Sequence, residues 1–420
     1  MLTYHIWTIG CQMNRAESAR LAARFEELGC SASGSLGEAD LIVVNTCVVR
    51  RSAEDRVINK LHALRRLKKE RPNTVMALTG CFVDADIAGL SRRYPFIDHF
   101  FKAGDYPPWL EKPAALSLPA RPSPAVFVTI SQGCDNFCSY CIVPFRRGRE
   151  RSRPVDEIVC EVRELVKRGA KEVTLLGQNV DSYGRDLPGK PGLADLLTIL
   201  NGIDGLARLR FLTNHPKDMS GKLIGAIAAL DKVCEQINLP VQAGGDAVLK
   251  AMKRGYSAAD YLRLVGRIRE KNPGIAVSTD IIVGFPGETD ADFRRTVDLL
   301  SDIKFATVHV AAYSPRPGTA AARDLADDVP LDTKKARLAE IERLQESIQD
   351  EINSRLRSET VEILVEGRSR GKWYGRTRTG KLVFFRGDPD YSGQLVNVKI
   401  VKTTAWSLQG NIDSNYREER

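Results

Sequence analysis

Six times in succession, between about residues 125 and 323, a short apolar run is followed by a stretch with a helical period. The runs are Val126–Ser131, Glu172–Leu176, Leu209–Thr213, Gln236–Leu239, Val277–Val283 and Ala306–Ala311, with amphipathic stretches such as Val155–Arg168 and Ala258–Lys271 between them. Adjacent parallel strands need a long crossover, and the handedness of that crossover leaves few ways to lay the units down. Six βα units in a row predict an open or incomplete parallel barrel, since a closed eight-unit barrel usually takes about 250 residues.

The flanking regions have other textures. Before the barrel, Tyr4–Ile9, Asp40–Asn45 and Thr74–Thr79 read as strands, with helices expected over Asn14–Gly29 and Ser52–Glu70. That alternation predicts a small parallel α/β domain. Pro107, Pro108, Pro113, Pro119, Pro122 and Pro124 then mark a linker. After the barrel, Leu338, Ile341, Leu344, Ile348 and Ile352 give one apolar stripe on a helix over Asp332–Leu356. Beyond it Thr360–Val365, Lys372–Arg378, Lys381–Arg386 and Gln394–Val401 read as short strands, which predicts a small antiparallel β-barrel. The expected class is therefore α/β, divided as 1–120, 121–330, a linker helix over 331–356, and 357–420.

Hydrophobic residues make up 43% and charged residues 27% of 420, an ordinary globular balance that excludes wholesale disorder. No apolar stretch approaches the roughly 18 residues that would suggest a membrane span. The first ten residues carry no basic segment leading into an apolar core, so a secretory leader is not expected and the expected compartment is the cytoplasm. Nine cysteines there argue against a disulfide framework. The excess of 62 Lys and Arg over 53 Asp and Glu, a net +9, is compatible with a polyanionic partner.

Three of those cysteines, Cys134, Cys138 and Cys141, fall within eight residues, directly after the first barrel strand. Soft thiolates at this density favour an iron–sulfur cluster or zinc. Structural zinc wants four ligands, and His5, His62, His99, His215 and His309 are all distant in sequence. Three cysteines on a four-iron cube leave one iron open for a ligand. A second set, Cys11, Cys47 and Cys81, has 35 and 33 residues between its members, so spacing alone is silent. Each member, however, follows a predicted strand and precedes a helix, and in an open parallel sheet such positions gather at one edge. A second cluster there and three unrelated core cysteines both remain open on this ground. Cys30, Cys160 and Cys234 match no pattern.

The Cys134/Cys138/Cys141 spacing resembles the radical S-adenosylmethionine superfamily. Gly10-Cys11-Gln12-Met13-Asn14, Asn45-Thr46-Cys47-Val48-Val49-Arg50, Tyr140-Cys141-Ile142-Val143-Pro144, Leu175-Leu176-Gly177-Gln178-Asn179-Val180 and Asp280-Ile281-Ile282-Val283-Gly284-Phe285-Pro286-Gly287-Glu288-Thr289 resemble its methylthiotransferases, most closely the MiaB-like branch that acts on tRNA. The resemblance spans essentially the whole chain and implies an N-terminal cluster domain, a radical barrel and an RNA-binding TRAM domain. It implies two [4Fe-4S] clusters, held by the two cysteine trios, and S-adenosylmethionine as both methyl donor and radical source. It further implies transfer of a methylthio group to carbon 2 of N6-isopentenyladenosine in the tRNA anticodon stem-loop, with a flavodoxin or ferredoxin as electron donor and the chain acting as a monomer. Sister branches act on a ribosomal-protein aspartate or on threonylcarbamoyladenosine; a non-catalytic RNA-binding protein with structural metal sites is the alternative outside the family. Asn214, Asn238, Ala243 and Gly245 depart from the branch's usual residues at strand ends.

Cofactor contacts implied by position are Tyr140 near the adenine ring, Gly177 and Gln178 at the amino group, Gln242 at the ribose and Gly284 where backbone meets adenine. On the RNA side, Arg146, Arg147, Arg149, Arg151 and Arg153 surround the single acid Glu150 directly after the cluster loop, a pattern suited to phosphates. In the last region Lys372, Arg376 and Arg378 alternate with Trp373 and Tyr374, a pattern suited to phosphates and stacked bases.

Overall fold

The computed structural model describes residues 2–83, 86–107, 109–110 and 117–413; Pro108 and Pro113 of the expected linker, and the tail 414–420, lie outside them. The first sheet is wholly parallel, in the order Ser31–Ala32, Thr3–Thr8, Leu41–Thr46, Val75–Gly80, His99–Phe100. Its middle strands bury Ile42, Val43, Val44, Met76, Ala77 and Leu78 completely, as parallel strands covered on both faces do. The two outer strands are two residues long, too short for any periodicity to announce them. Helices Gln12–Glu27 and Arg51–Glu70 supply the crossovers.

All six expected barrel strands are present, as Ala125–Thr129, Glu172–Leu176, Arg208–Phe211, Gln236–Asn238, Ala276–Val283 and Thr307–Ala312. They form two parallel three-stranded sheets. A bridge between Leu209 and Val233 and the bond from Asn214 N to Asn238 O (3.0 Å) join the sheets into one open wall. The helix Leu331–Ser354 is more than a connector. It lays Ile341 and Ile348 into buried positions, and its Gln345 caps the Phe305 carbonyl from Nε2 at 3.1 Å.

The C-terminal unit is a closed barrel of five strands, Thr360–Ser369, Lys372–Thr377, Leu382–Phe385, Leu395–Thr403 and Leu408–Ile412. The expected barrel is antiparallel throughout; here Leu382–Phe385 and Leu408–Ile412 pair in parallel to close it. The fifth strand, Leu-Gln-Gly-Asn-Ile, has only two apolar residues and escaped the sequence pattern. Its Gly410 is needed, because a Cβ there would lie 2.3 Å from Lys399 O.

This unit docks on the starting ends of the parallel strands. Arg208, almost fully buried, donates to Arg376 O (2.6 Å) and to Glu362 Oε1 (2.8 Å). Arg210 donates to Arg378 O (2.7 Å) and Thr377 O (2.8 Å) and pairs with Glu172. Carbonyls that end small strands are thereby satisfied by the neighbouring domain.

Candidate active site at the strand ends

Both cysteine trios lie at the opposite, carboxyl ends of the strands. In the first sheet, Cys11 caps helix Gln12–Glu27, while Cys47 and Cys81 directly follow the strands Leu41–Thr46 and Val75–Gly80. Two fully buried asparagines tie the first two of these loops together, and Thr46 ties in the third, its carbonyl accepting from Cys81 N at 2.9 Å and its Oγ1 from Phe82 N at 3.2 Å. Asn14 donates to Asn45 Oδ1 (2.7 Å) and Thr46 O (2.9 Å), and Asn45 returns a bond to Asn14 O (2.9 Å). Gly10 and Gly80 permit the close approach: both have positive φ, and a Cβ would lie 2.8 Å from Cys47 Cβ at Gly10 and 2.3 Å from Thr46 O at Gly80.

The three thiols act on one another. Burial pushes the Cys47 thiol up to about 11, with the charges of Cys81 and Cys11 adding to the rise. Burial also raises Cys81, opposed by Arg147. In the second trio burial pushes Cys141 up to about 12, with Cys138 and Cys134 adding to it. Metal binding here must displace protons, as it does at thiol sites generally.

The Cys134–Cys141 loop is shaped by its own backbone. Gly133 has φ +84, and a Cβ would strike Arg149 O at 2.1 Å. Asp135 receives Arg149 Nε at 2.6 Å and Glu150 N at 3.1 Å. Ser139 donates to Ala251 O (2.7 Å) and Met252 O (3.1 Å). Phe137, Thr213 and Gln242 all carry positive φ without being glycine, and all three sit on this rim, where backbone strain tends to mark function.

Among the described residues no three His, Cys, Asp or Glu side chains converge closely enough to bind one metal ion. A cube spreads its thiolates over separate irons instead. The chemistry of the donor sets fits such a group. Each trio consists of neighbouring thiols with a buried guanidinium on one sulfur: Arg147 Nε lies 3.3 Å from Cys81 Sγ, and Arg254 Nη1 lies 3.3 Å from Cys138 Sγ. A cationic donor facing sulfur offsets the negative charge that three thiolates would bring.

The expected cofactor contacts fall on the same rim with differing surroundings. Gln178 Oε1 accepts from Gly133 N at 2.6 Å, tying the second strand's end to the cluster loop. At Gly177 a Cβ would lie 2.4 Å from the buried, unpartnered Ser131 Oγ. Tyr140 packs edge-on to Phe285, with ring centroids 6.5 Å apart. Gln242 bridges its own strand's extension to the neighbour through Asp280 O and Ile282 N. At Gly284 the N–H is taken by Glu288 Oε2 at 2.6 Å, and a Cβ would meet Lys334 Cγ at 2.3 Å, so the missing side chain makes room for a lysine stem of the long helix.

Three of the expected RNA contacts meet partners inside the protein. Arg147 is buried on Glu17 and Cys81. Arg153 holds Glu161 Oε2 (2.6 Å) and Thr129 O (2.6 Å). Arg378 grips Glu235 with two nitrogens and Val233 O with one, which fastens the C-terminal barrel to the strand starts. Each of these guanidiniums is turned toward a carboxylate or carbonyl of the protein itself. Arg149 and Arg151 are exposed, Arg149 in its pair with Asp135, while Arg376 is half-exposed beside Glu366 and Lys372 touches Gln409.

Family models match along the chain: the Radical SAM superfamily over residues 128–300, the TRAM domain over 354–412, and "Uncharacterized protein family UPF0004" over 3–102. A Dehalococcoides mccartyi protein named tRNA-2-methylthio-N(6)-dimethylallyladenosine synthase is 55% identical over 97% of this chain and 98% of its own length. The same name belongs to a Chloroflexus aurantiacus protein 49% identical over 97% of this chain and 91% of its own. The chain belongs to the tRNA-2-methylthio-N(6)-dimethylallyladenosine synthase family. In fold the chain resembles TsrM from Kitasatospora setae, a radical S-adenosylmethionine methyltransferase, with TM-score 0.54 at 14% identity over 76% of this chain and 74% of that one.

Other rim residues of this chain escaped the sequence reading. Asp181 accepts from His215 N at 2.9 Å and from Asn214, one of the departures; burial pushes its carboxyl up to about 7. His215 is held down to about 3 by burial and by Arg254; its Nδ1 accepts from Lys217 N at 3.3 Å, which leaves the proton on a buried Nε2 with no partner in the described structure. Asn238 reaches Asp280 at 3.3 Å, Ala243 packs in a cluster with Phe285, and Gly245 leaves room for Asp292. Nothing in the spacing of Asp181, His215 or Arg254 distinguishes them from ordinary loop positions.

Proposed function

We propose that this chain converts N6-isopentenyladenosine beside the tRNA anticodon to its 2-methylthio derivative, with residues 1–120 holding the sulfur-donating cluster, 121–330 the radical site, and 357–420 the RNA. It is a transferase that uses S-adenosylmethionine and a [4Fe-4S] cluster. When bound, the cofactor and clusters supply one-electron bond cleavage, a methyl group and a sulfur atom, none of which a side chain provides.

The chain's own part is to hold, neutralise and enclose. In this reading Cys134, Cys138 and Cys141 ligate the radical-site cluster, with Arg254 on Cys138; Cys11, Cys47 and Cys81 ligate the second, with Arg147 on Cys81. Gln178 fixes the cluster loop against the second strand, Tyr140 and Phe285 form an apolar wall, and Gln242 shapes the rim beside it. Arg149, Arg151, Lys372 and Arg376 remain as phosphate contacts. The observation that carries the reading is the pairing of two thiol trios, each with a buried arginine on one sulfur, at neighbouring strand edges. No helix among the described residues is long and apolar enough to cross a membrane, and all nine cysteines are free thiols. That fits a monomer in the reducing cytoplasm, served by a flavodoxin- or ferredoxin-class donor.

Nucleoside mass spectrometry of tRNA from cells with and without the gene tests the assignment. Deletion should abolish 2-methylthio-N6-isopentenyladenosine and accumulate the unthiolated base; an unchanged pool, in cells with no second copy, refutes it.

A further inference from the structure

Arg147 belongs by sequence to an exposed basic run and by structure to the interior. It ends the short helix Val143–Arg147 that follows Cys141, and its side chain is only 2% exposed. Its Nη1 and Nη2 meet the two carboxylate oxygens of Glu17 at 2.7 and 3.4 Å, and its Nε donates to Cys81 Sγ at 3.3 Å. Glu17 stands on helix Gln12–Glu27, the helix that Cys11 caps. Ile142, on the same turn as Cys141, packs in the apolar core that contains Cys81, Phe82 and Val48.

One side chain therefore touches one trio while its backbone belongs to the loop that completes the other. An ion pair whose only task was to join two domains would be satisfied by carboxylate oxygens, as Arg20 of the first domain is with Glu161 of the second. Arg147 instead turns a donor onto sulfur. Arginine suits this geometry, since its planar fork binds the carboxylate with one edge and leaves Nε for a second partner.

Resting on the reading of Cys11, Cys47 and Cys81 as cluster ligands, we propose that Arg147, oriented by Glu17, is a positioning residue that offsets charge at the second cluster and sets its distance from the radical site through one five-residue helix. Loss of Arg147 should uncouple the two sites. S-adenosylmethionine cleavage to 5′-deoxyadenosine persists, while less of it ends in methylthiolated RNA.

The test uses the full chain, reconstituted anaerobically. In a Cys134→Ala, Cys138→Ala, Cys141→Ala background only the second cluster remains, and its midpoint potential is followed by electron paramagnetic resonance. Arg147→Gln removes a positive charge and should move the potential down; Glu17→Gln removes a negative one and should move it up; Arg147→Lys keeps the charge and should stay near the parent. In the otherwise wild-type chain, Arg147→Gln should raise the ratio of 5′-deoxyadenosine to methylthiolated product at least about tenfold. A background that binds no iron or sulfide at all would overturn the two-cluster reading itself. A cluster that is present but keeps its potential in both charge variants, or moves the same way in both, would overturn the role of Arg147 alone.

Discussion

The two cysteine trios solve one chemical problem in two ways. Cys134, Cys138 and Cys141 come from a single loop, whose shape is set by Gly133 and by the Asp135 clasp. Cys11, Cys47 and Cys81 come from three loops that only a parallel sheet brings together; the Asn14–Asn45 pair holds the first two in register and the Thr46 carbonyl holds the third. The first trio depends on local backbone, so a short stretch of chain carries most of its geometry. The second depends on the sheet's topology, so anything that loosens strand order loosens the site. A protein that places both at neighbouring edges can lose one and keep the other.

The largest expected effect follows from that separation. Replacing Cys134, Cys138 and Cys141 by Ala should abolish S-adenosylmethionine cleavage and lower bound iron from about eight to about four per chain, while replacing Cys11, Cys47 and Cys81 should halve the iron yet leave reductive cleavage measurable. Loss of all iron from either triple variant would break the comparison.

Glycine substitutions sharpen it at smaller scale. Gly80→Ala forces a Cβ against Thr46 O in a left-handed backbone, and Gly133→Ala forces one against Arg149 O. Each should cost about 1–3 kcal/mol. In denaturant melts Gly80→Ala should lower the cooperative stability of the N-terminal sheet, whereas Gly133→Ala should act chiefly on iron retention at its own loop. Equal effects of the two on both readouts would mean that the trios are not mechanically distinct.

A further effect concerns the barrel rim alone. Asp181 titrates near 7 when folded, well above its value in an unfolded chain. Between those two values the folded state holds a proton that the unfolded state has released, so stability falls as pH rises toward 7 and levels off above it. A fully realised shift gives a slope of about 1.4 kcal/mol per pH unit. Asp181→Asn should flatten this slope between pH 5 and 7 in thermal melts; a slope unchanged from wild type would show that the carboxyl does not take up a proton on folding.

Much of this was legible in advance, and the reasons are specific. The six barrel strands announced themselves because each is an apolar run bounded by a helical period. The Cys134 trio stood out because its cysteines are sequence neighbours. The rule that parallel strands gather their carboxyl ends at one edge left the Cys11 trio open, and only the family resemblance singled it out. The arginines were not legible, because a sequence gives a charge but not its partner: Arg147, Arg149 and Arg153 alternate in one basic stretch, yet one faces sulfur and Glu17, one faces solvent and Asp135, and one faces Glu161. Gly284 shows the same limit. Its positive φ is real, but the atom that exploits the missing Cβ comes from Lys334, fifty residues on.

The C-terminal barrel sits where the parallel strands begin, and the cysteines sit where they end. The longest of those strands, Ala276–Val283, has eight residues, or about 26 Å at 3.3 Å per residue. A ligand touched at both places must reach along the flank of the molecule, so a lone nucleoside meets one end only, while a folded stem-loop is long enough to be measured against the protein as against a ruler.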